Sequence, residues 1–402
     1  MKITDVEAIV VERPGLDVTA ADAQQDALIV RITTDEGIVG YGEGNHTPRA
    51  MKAIIDSPGS HSWSQGIKDL LIGRDPRQPE RIWDTLYRGT AMSGRRGMMV
   101  AVLAAIDVAL WDIKGKAESK PIYELLGGAS GKPVVPYTSL YSGPLSYEDS
   151  KAWDVEKILQ SRQLGFTAYK IEPLDDCVPE HHQVIEVAQA AYEAVGDTMD
   201  MLVDVGHRWE TAKVALRWLA ELEQYHPRLI ETPLWLDDVD GYRTIADRSP
   251  IPVALGELFV TRNEFTEMID RGGVDVIQPG VVRVGFTESK RISEYAAMRG
   301  RQVVPYGFVA TTLAVVANIH LAATLSNCPW TEYCHLEIYP HQELRKNLFG
   351  PEPRMVDGAF ELPTGPGLGV EVDEAKVAAA AQRGHRWRAP VWRHEDGAIA
   401  EW

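Results

Sequence analysis

The sequence predicts an α/β fold, in which a small N-terminal α+β domain is followed by a (β/α)8 barrel. Three observations carry this expectation. The apolar period switches from two to helical values before residue 126, eight short apolar or β-branched runs then recur between Pro133 and Tyr333, and the residues ending those runs are evenly spaced. At 402 residues the chain can hold a barrel, which takes about 250, and a second unit.

Ile3 to Val11 and Leu28 to Ile32 alternate apolar and polar residues, and Asp35-Glu36-Gly37 supplies a turn before Val39-Gly40-Tyr41. This reads as a short antiparallel sheet. Arg13 to Gln25 is too polar and irregular for either element and is expected to be a loop. Ile82, Leu86 and Tyr87 then share one helical face, and Val102 to Lys116 forms a long apolar helix ending before Leu126-Gly127-Gly128.

The eight runs are Pro133–Ser139, Phe166–Ile171, Met201–Val205, Arg228–Glu231, Pro252–Gly256, Val274–Gln278, Gln302–Tyr306 and Trp330–Tyr333. Amphipathic stretches such as Val184, Val187, Ala188 and Ala191 lie between most of them. Strands alternating with helices force parallel pairing through right-handed crossovers, and eight such units close into a barrel. Lys170, Asp204, Glu231, Glu257, Gly280, Tyr306 and Glu332 are separated by 34, 27, 26, 23, 26 and 26 residues, about one βα unit each. They are therefore expected at the carboxyl ends of successive strands, where such barrels build their sites. The Gly- and Pro-rich tail from about residue 350 is expected to return to the first domain, dividing the chain into 1–130, 131–350 and 351–402.

Composition narrows the function. Hydrophobic residues at 45% and charged residues at 25% are those of a globular protein. Lys plus Arg is 41 and Asp plus Glu is 58, a net charge of −17, which disfavours nucleic acid and anionic membrane surfaces as partners. No apolar run approaches the roughly 20 residues of a transmembrane helix, and Met-Lys-Ile-Thr-Asp-Val leads into no signal-peptide core. A soluble, cytoplasmic protein is expected, with Cys177, Cys328 and Cys334 as free thiols, although Cys328 and Cys334 remain a possible pair.

Three consecutive strands end in carboxylates: Asp204, Glu231 and Glu257. Neighbouring strands lie about 4.8 Å apart, so three unpaired carboxylates would repel and carry a desolvation cost. A hard divalent cation with oxygen ligands relieves both, and Mg2+ suits a small site completed by water and substrate. Separate ion pairs with barrel Lys and Arg are the alternative.

The triad, together with Asp107-Val108-Ala109-Leu110-Trp111-Asp112-Ile113-Lys114-Gly115-Lys116, Lys120-Pro121, Leu125-Leu126-Gly127-Gly128 and Pro366-Gly367-Leu368-Gly369, resembles the enolase superfamily, mandelate racemase-like subgroup. The resemblance spans nearly the whole chain. It implies a modified TIM barrel with an N-terminal capping domain completed by the C-terminal tail. It also implies an essential Mg2+, a first step that removes the proton α to a substrate carboxylate, and a homo-oligomeric assembly. The ending Glu395-Asp396-Gly397 with Glu401-Trp402 resembles the mannonate and galactonate dehydratases more than the racemases.

The subgroup commonly carries Lys-x-Lys on the second strand and an Asp and His dyad on strands six and seven. Here the chain reads Lys170-Ile171-Glu172, Gln278-Pro279-Gly280 and Pro305-Tyr306-Gly307, so both dyad positions are changed. Lys170 is then the candidate base or electrostatic partner. His207, three residues past Asp204 beyond the flexible Gly206, is the candidate acid, and Tyr306 a hydrogen-bond or proton donor. Glu172, Arg283 and Glu332 are candidate substrate-binding residues. For each, an ordinary ion pair or packing role is the alternative. The expected activity is dehydration of a hydroxylated acid, such as an acid sugar, through a metal-stabilised enediolate. A racemase or epimerase on the same intermediate and a metal-binding, non-catalytic protein are the rivals.

Overall fold

The computed structural model describes residues 1–15, 25–44, 47–143, 145–174, 178–307, 311–340 and 343–384. Much of the Arg13–Gln25 loop, Asn45 and His46, Cys177 and the ending at Glu395-Asp396-Gly397 and Glu401-Trp402 lie outside them. The N-terminal strands are β1 (Ile3–Glu12), β2 (Asp26–Thr34) and β3 (Val39–Gly44), an antiparallel sheet in that order. Its apolar face, including Val6, Leu28, Val30 and Ile32, packs with Leu103, Ile106 and Leu110 of the helix Met98–Glu118. That helix has no polar stripe because it is covered all round, by the sheet on one side and by the helix Val281–Met298 on another.

Eight parallel strands follow: β4 (Pro136–Leu140), β5 (Ala168–Ile171), β6 (Asp200–Asp204), β7 (Leu229–Glu231), β8 (Val253–Leu255), β9 (Val276–Ile277), β10 (Gln302–Val303) and β11 (Thr331–Glu332). Each falls within or against one of the eight expected runs. The ladder order is β10-β9-β8-β7-β6-β5-β4-β11, and the remaining gap is bridged where Glu332 N–H donates to the Pro305 carbonyl at 3.1 Å. The result is the expected barrel with a smaller N-terminal unit against it. Cys328 and Cys334 are free thiols, and among the described residues no helix is long and apolar enough to cross a membrane.

Strand register decides what fills the barrel. Lys170 pairs with Leu202, Leu202 with Leu229, Asp204 with Glu231, Ala254 with Val276, and Glu332 with Tyr137. Combined with the stagger of a tilted eight-stranded barrel, alternate strands contribute four side chains to each layer. The two lower layers are Ala168, Leu229, Val276 and Trp330, then Tyr137, Leu202, Ala254 and Val304, and these eight form one buried apolar cluster. Above them lie Lys170, Glu231, Gln278 and Glu332, then Ser139, Asp204, Gly256 and Tyr306. The barrel is therefore apolar at its base and polar at the carboxyl ends of its strands.

Carboxylates of the N-terminal unit dock it to the barrel and tail. Asp107 accepts from Thr287 N–H at 2.9 Å and from the Thr287 hydroxyl at 2.6 Å. It fits against Gly285, where the helix Val281–Met298 kinks at φ 82° and a Cβ would stand 2.8 Å from the carboxylate. Asp112 accepts from Tyr41 N–H at 3.0 Å and from Leu368 N–H at 2.9 Å, so the tail is tied to the sheet through this side chain. The tail helix Glu374–Ala381 packs on β1, and Glu374 meets Arg31.

Burial pushes Asp107 up to about 7, against the pull of its two Thr287 hydrogen bonds. The group carries its proton in the fold but not in the unfolded chain between about pH 4 and 7, so its contribution to stability falls as pH rises through that window. Asp107→Asn keeps an acceptor for the Thr287 N–H and reverses the other contact, the amide N–H now donating to Thr287 Oγ1. The variant is expected to match the native protein near pH 4 and to exceed it in stability at pH 8, as measured by denaturant unfolding across pH. A constant difference between the two curves would contradict this.

Candidate active site

Lys170 ends β5 pointing inward and is 1% exposed. Its Nζ donates to Glu231 Oε2 at 3.0 Å and to Asp204 Oδ2 at 3.3 Å, and stands 3.2 Å from Glu332 Oε1 and 3.7 Å from Glu172 Oε1. Burial pulls its pKa down, but Glu231 and Glu332, then Tyr137 and Asp204, outweigh this and hold it well above the ordinary lysine range. The β5 ladder continues one residue further, since Glu172 N–H donates to the Leu140 carbonyl. Lys170 and Glu172 accordingly share the inward side.

The structure brings five of the sequence-predicted residues together around this ammonium: Lys170, Glu172, Asp204, Glu231 and Glu332. Asp204 is fixed on its other oxygen by Gly206 N–H at 3.0 Å. Glu332 is fixed by the Ser139 hydroxyl and by Gly307 N–H, the latter at 2.8 Å. Glu257 lies two residues past β8 rather than at its end, after Gly256 turns the chain at φ 135°. Burial, then the Asp204 charge, pushes Glu257 up to about 7, and the same two causes raise Glu231 while Lys170 opposes them. Among the described residues, no three or more His, Cys, Asp or Glu side chains already surround a common point as a metal cage. Lys170 takes one oxygen each from Asp204 and Glu231.

His207 sits further out. Gly206 and His207 both adopt left-handed backbone, at φ 52° and 65°. This turn seats the imidazole edge-to-face on Trp235, with Nδ1 at 3.1 Å from the Leu234 carbonyl. A carbonyl only accepts, so Nδ1 carries a proton and Nε2 is the nitrogen at which a proton can be exchanged. Arg283 is in the first turn of the helix after Gly280, buried, with burial lowering its pKa while Tyr306 and Glu257 oppose. Tyr306 packs on Tyr141, Leu174 and Cys334 above the strand ends.

Several residues of the site were not singled out from sequence. Gln278 shares the Lys170 layer, and neither end of its fully buried amide has a partner among the described residues. Alternation along the sixth run, from Val276 to Gln278, marks it as inward-facing. Ser139 is legible in the same way. Arg208, whose guanidinium donates to the Pro173 and Val178 carbonyls and holds the chain after β5, leaves no signal in the sequence.

The comparisons with known proteins agree with this fold. Residues 5–127 match the mandelate racemase / muconate lactonizing enzyme N-terminal domain, and residues 154–376 match the enolase C-terminal domain-like family. The chain belongs to the mandelate racemase-like branch of the enolase superfamily. A solved protein provisionally described as a racemase is 30% identical with a TM-score of 0.88, over 94% of this chain and 97% of its own. A protein from Bordetella bronchiseptica RB50, provisionally described as a mandelate racemase and solved with 2-oxoglutarate/phosphate, is 29% identical with a TM-score of 0.83, over 96% and 99%. The 3,6-anhydro-D-galactonate cycloisomerase of Zobellia galactanivorans is 29% identical with a TM-score of 0.80, over 94% and 99%. This is a family of enzymes, and the N-terminal unit is its capping domain.

Removing the central ammonium should leave Asp204, Glu231 and Glu332 buried without their shared cation. Breaking a buried pair costs roughly 3–5 kcal/mol, so Lys170→Met is expected to lose that much stability at pH 7. Adding Glu231→Gln to the variant should return part of it, since one uncompensated charge is removed. Denaturant unfolding of the two proteins checks both expectations, and a Lys170→Met protein as stable as the native one would show the ammonium to be dispensable.

Proposed function

We propose that the chain is a Mg2+-dependent hydro-lyase that removes the proton α to a carboxylate and eliminates water from a hydroxylated acid of the sugar-acid class. The observation that carries the reading is the polar end of the barrel. There a buried ammonium meets strand-end carboxylates, with Arg283 near Tyr306 and Glu257 and with His207 on the turn that follows Asp204. The relative from Zobellia galactanivorans, whose substrate is by name a sugar-derived carboxylate, supports the substrate class. The division into a capping unit 1–130, a barrel 131–350 and a returning segment 351–402 is part of this reading.

Asp204, Glu231 and Glu257 would hold the metal. The donor set is all oxygen, as a hard cation requires, and Glu231 Oε1 is buried with no partner among the described residues. The raised pKa values of Glu231 and Glu257 mark a place where added positive charge is favourable. Bound there, Mg2+ supplies electrostatic stabilisation for the second negative charge that α-proton removal puts on the substrate carboxylate.

The chain's own residues divide the remaining work. Lys170, held cationic by its neighbours, is the fixed donor at the base of the site, where it orients the substrate carboxylate. A proton-accepting role for it requires part of that carboxylate field to be neutralised. Glu172, above it on the same strand, faces the substrate and helps receive or orient it. With part of the carboxylate field neutralised, Lys170 Nζ as the free amine takes the α-proton, and His207, protonated on both ring nitrogens, delivers its Nε2 proton to the departing β-hydroxyl, so that the Cα–H and Cβ–OH bonds break and water leaves. The enol that remains becomes a 2-keto-3-deoxy acid. Arg283 meets a second substrate charge, and Tyr306 positions the carbon chain. An epimerase would need opposed bases on two faces, and Gly280 and Tyr306 supply no standard second base.

The test is a screen of aldonates and aldarates with Mg2+, following 2-keto-3-deoxy acid formation and solvent-deuterium entry at the α-carbon. Ala at Asp204, Glu231 or Glu257 is expected to abolish Mg2+ binding, and with it turnover, while leaving the barrel folded. Lys170→Ala should remove turnover. His207→Asn should lose dehydration and keep exchange, because proton removal precedes expulsion. Exchange without dehydration in the native enzyme would turn the reading to epimerisation, and no exchange with any acid would overturn it.

A further inference from the structure

The two strand ends where the chain departs from the family pattern touch each other. A Cβ built on Gly280 would stand 3.0 Å from the Tyr306 carbonyl oxygen and 3.1 Å from its ring carbon Cδ1, tighter than nine in ten real Cβ contacts. The backbone at Gly280 is ordinary, with φ −85° and ψ 126°, so conformation does not call for glycine there. Space does. Tyr306 lies where a side chain at 280 would begin.

One side chain holds both ends. Asn318, 2% exposed within the helix Thr312–Thr324, accepts from Val281 N–H on Oδ1 at 3.1 Å and donates from Nδ2 to the Tyr306 carbonyl at 2.7 Å. With one bond at each end, the buried amide cannot flip without losing both, and it fixes the distance between the two strand ends. The helix that carries it is itself anchored by the capping domain. Glu43 of β3 accepts from Thr311 N–H at 3.0 Å, from Ala314 N–H at 3.2 Å and from the Thr311 hydroxyl. In the ring of eight strands β9 stands four places from β5, so Gly280 faces Lys170 across the mouth. The Tyr306 ring lies above the strand ends between Gly280 and the group of Tyr141, Leu174 and Cys334.

We propose that Gly280 and Asn318 are positioning residues that set the Tyr306 ring over the end of β9, and through it fix how the substrate's carbon chain lies opposite Lys170. The second half of this statement rests on the dehydratase reading above, whereas the first half does not. Gly280→Ala pushes the ring away, and Asn318→Asp replaces the donor to the Tyr306 carbonyl with an acceptor that repels it. Misplacement near 1 Å in a site costs on the order of a hundredfold in rate, and the few tenths of an ångström that a Cβ at 280 requires costs correspondingly less.

Two measurements decide the proposal. In protein labelled with 13C in its tyrosine rings, the Tyr306 signal is identified by its loss in Tyr306→Phe. It is expected to shift in both Gly280→Ala and Asn318→Asp, with circular dichroism native-like in both and the melting temperature lowered in Asn318→Asp, whose carboxylate is buried against a carbonyl. On whichever acid the screen identifies, kcat should fall roughly three- to tenfold in Gly280→Ala with KM changed much less. The same substitution should change kcat less than about twofold in a Tyr306→Ala background, where no ring remains to be displaced. An unmoved Tyr306 signal in both variants overturns the proposal, as does a Gly280→Ala effect of equal size with and without the ring. If the native protein turns over no acid, the dehydratase reading fails, and the tyrosine signal alone decides the positioning claim.

Discussion

One buried ammonium group organises the upper half of the barrel. Lys170 Nζ lies within 3.3 Å of carboxylates from three other strands, and none of the four groups would tolerate this depth without the others. The arrangement demands a closed barrel in correct register, because a slip of one residue on any of these four strands would exchange an inward charge for an uncharged side chain. It also demands an apolar base. The cluster from Tyr137 to Trp330 provides one, so that burial energy is gained where no chemistry is placed and spent where the polar layers begin.

The capping domain depends on the same economy of buried charge. Glu43, Asp107 and Asp112 all leave the N-terminal unit as carboxylates and end on backbone N–H groups of the barrel or tail. Each satisfies donors that a helix start, a helix kink or a turn would otherwise bury unpaired. These are directional contacts, and they fix the orientation of the two units in a way that the apolar contacts around Trp111 and Phe286 alone do not.

Much of this was legible in the sequence, for identifiable reasons. The strand repeat shows because each βα unit needs a similar length of chain, and Asp204, Glu231 and Lys170 show because each ends an apolar run. Glu172 and Glu332 follow from alternation and spacing. Glu257 is found by spacing, although the chain reaches it through a glycine turn beyond the strand. Asn318 and Arg208 are invisible at that level. Asn318 sits in a helix of almost wholly apolar neighbours, and its meaning lies in two strand ends 37 and 12 residues away. The long helix Met98–Glu118 was recognised by its apolar length, whereas the kink at Gly285 opposite it depends on Asp107 and leaves no periodic trace.

The contact between Gly280 and Tyr306 also couples two positions of the mouth. With Tyr306 in its present pose, a Cβ at 280 would stand 3.0 Å from the carbonyl oxygen and 3.1 Å from the ring, so a side chain there needs the tyrosine to give way by a few tenths of an ångström. Any redesign that returns a carboxylate to 280 therefore has to treat 306 as part of the same substitution, since neither position offers its space independently of the other.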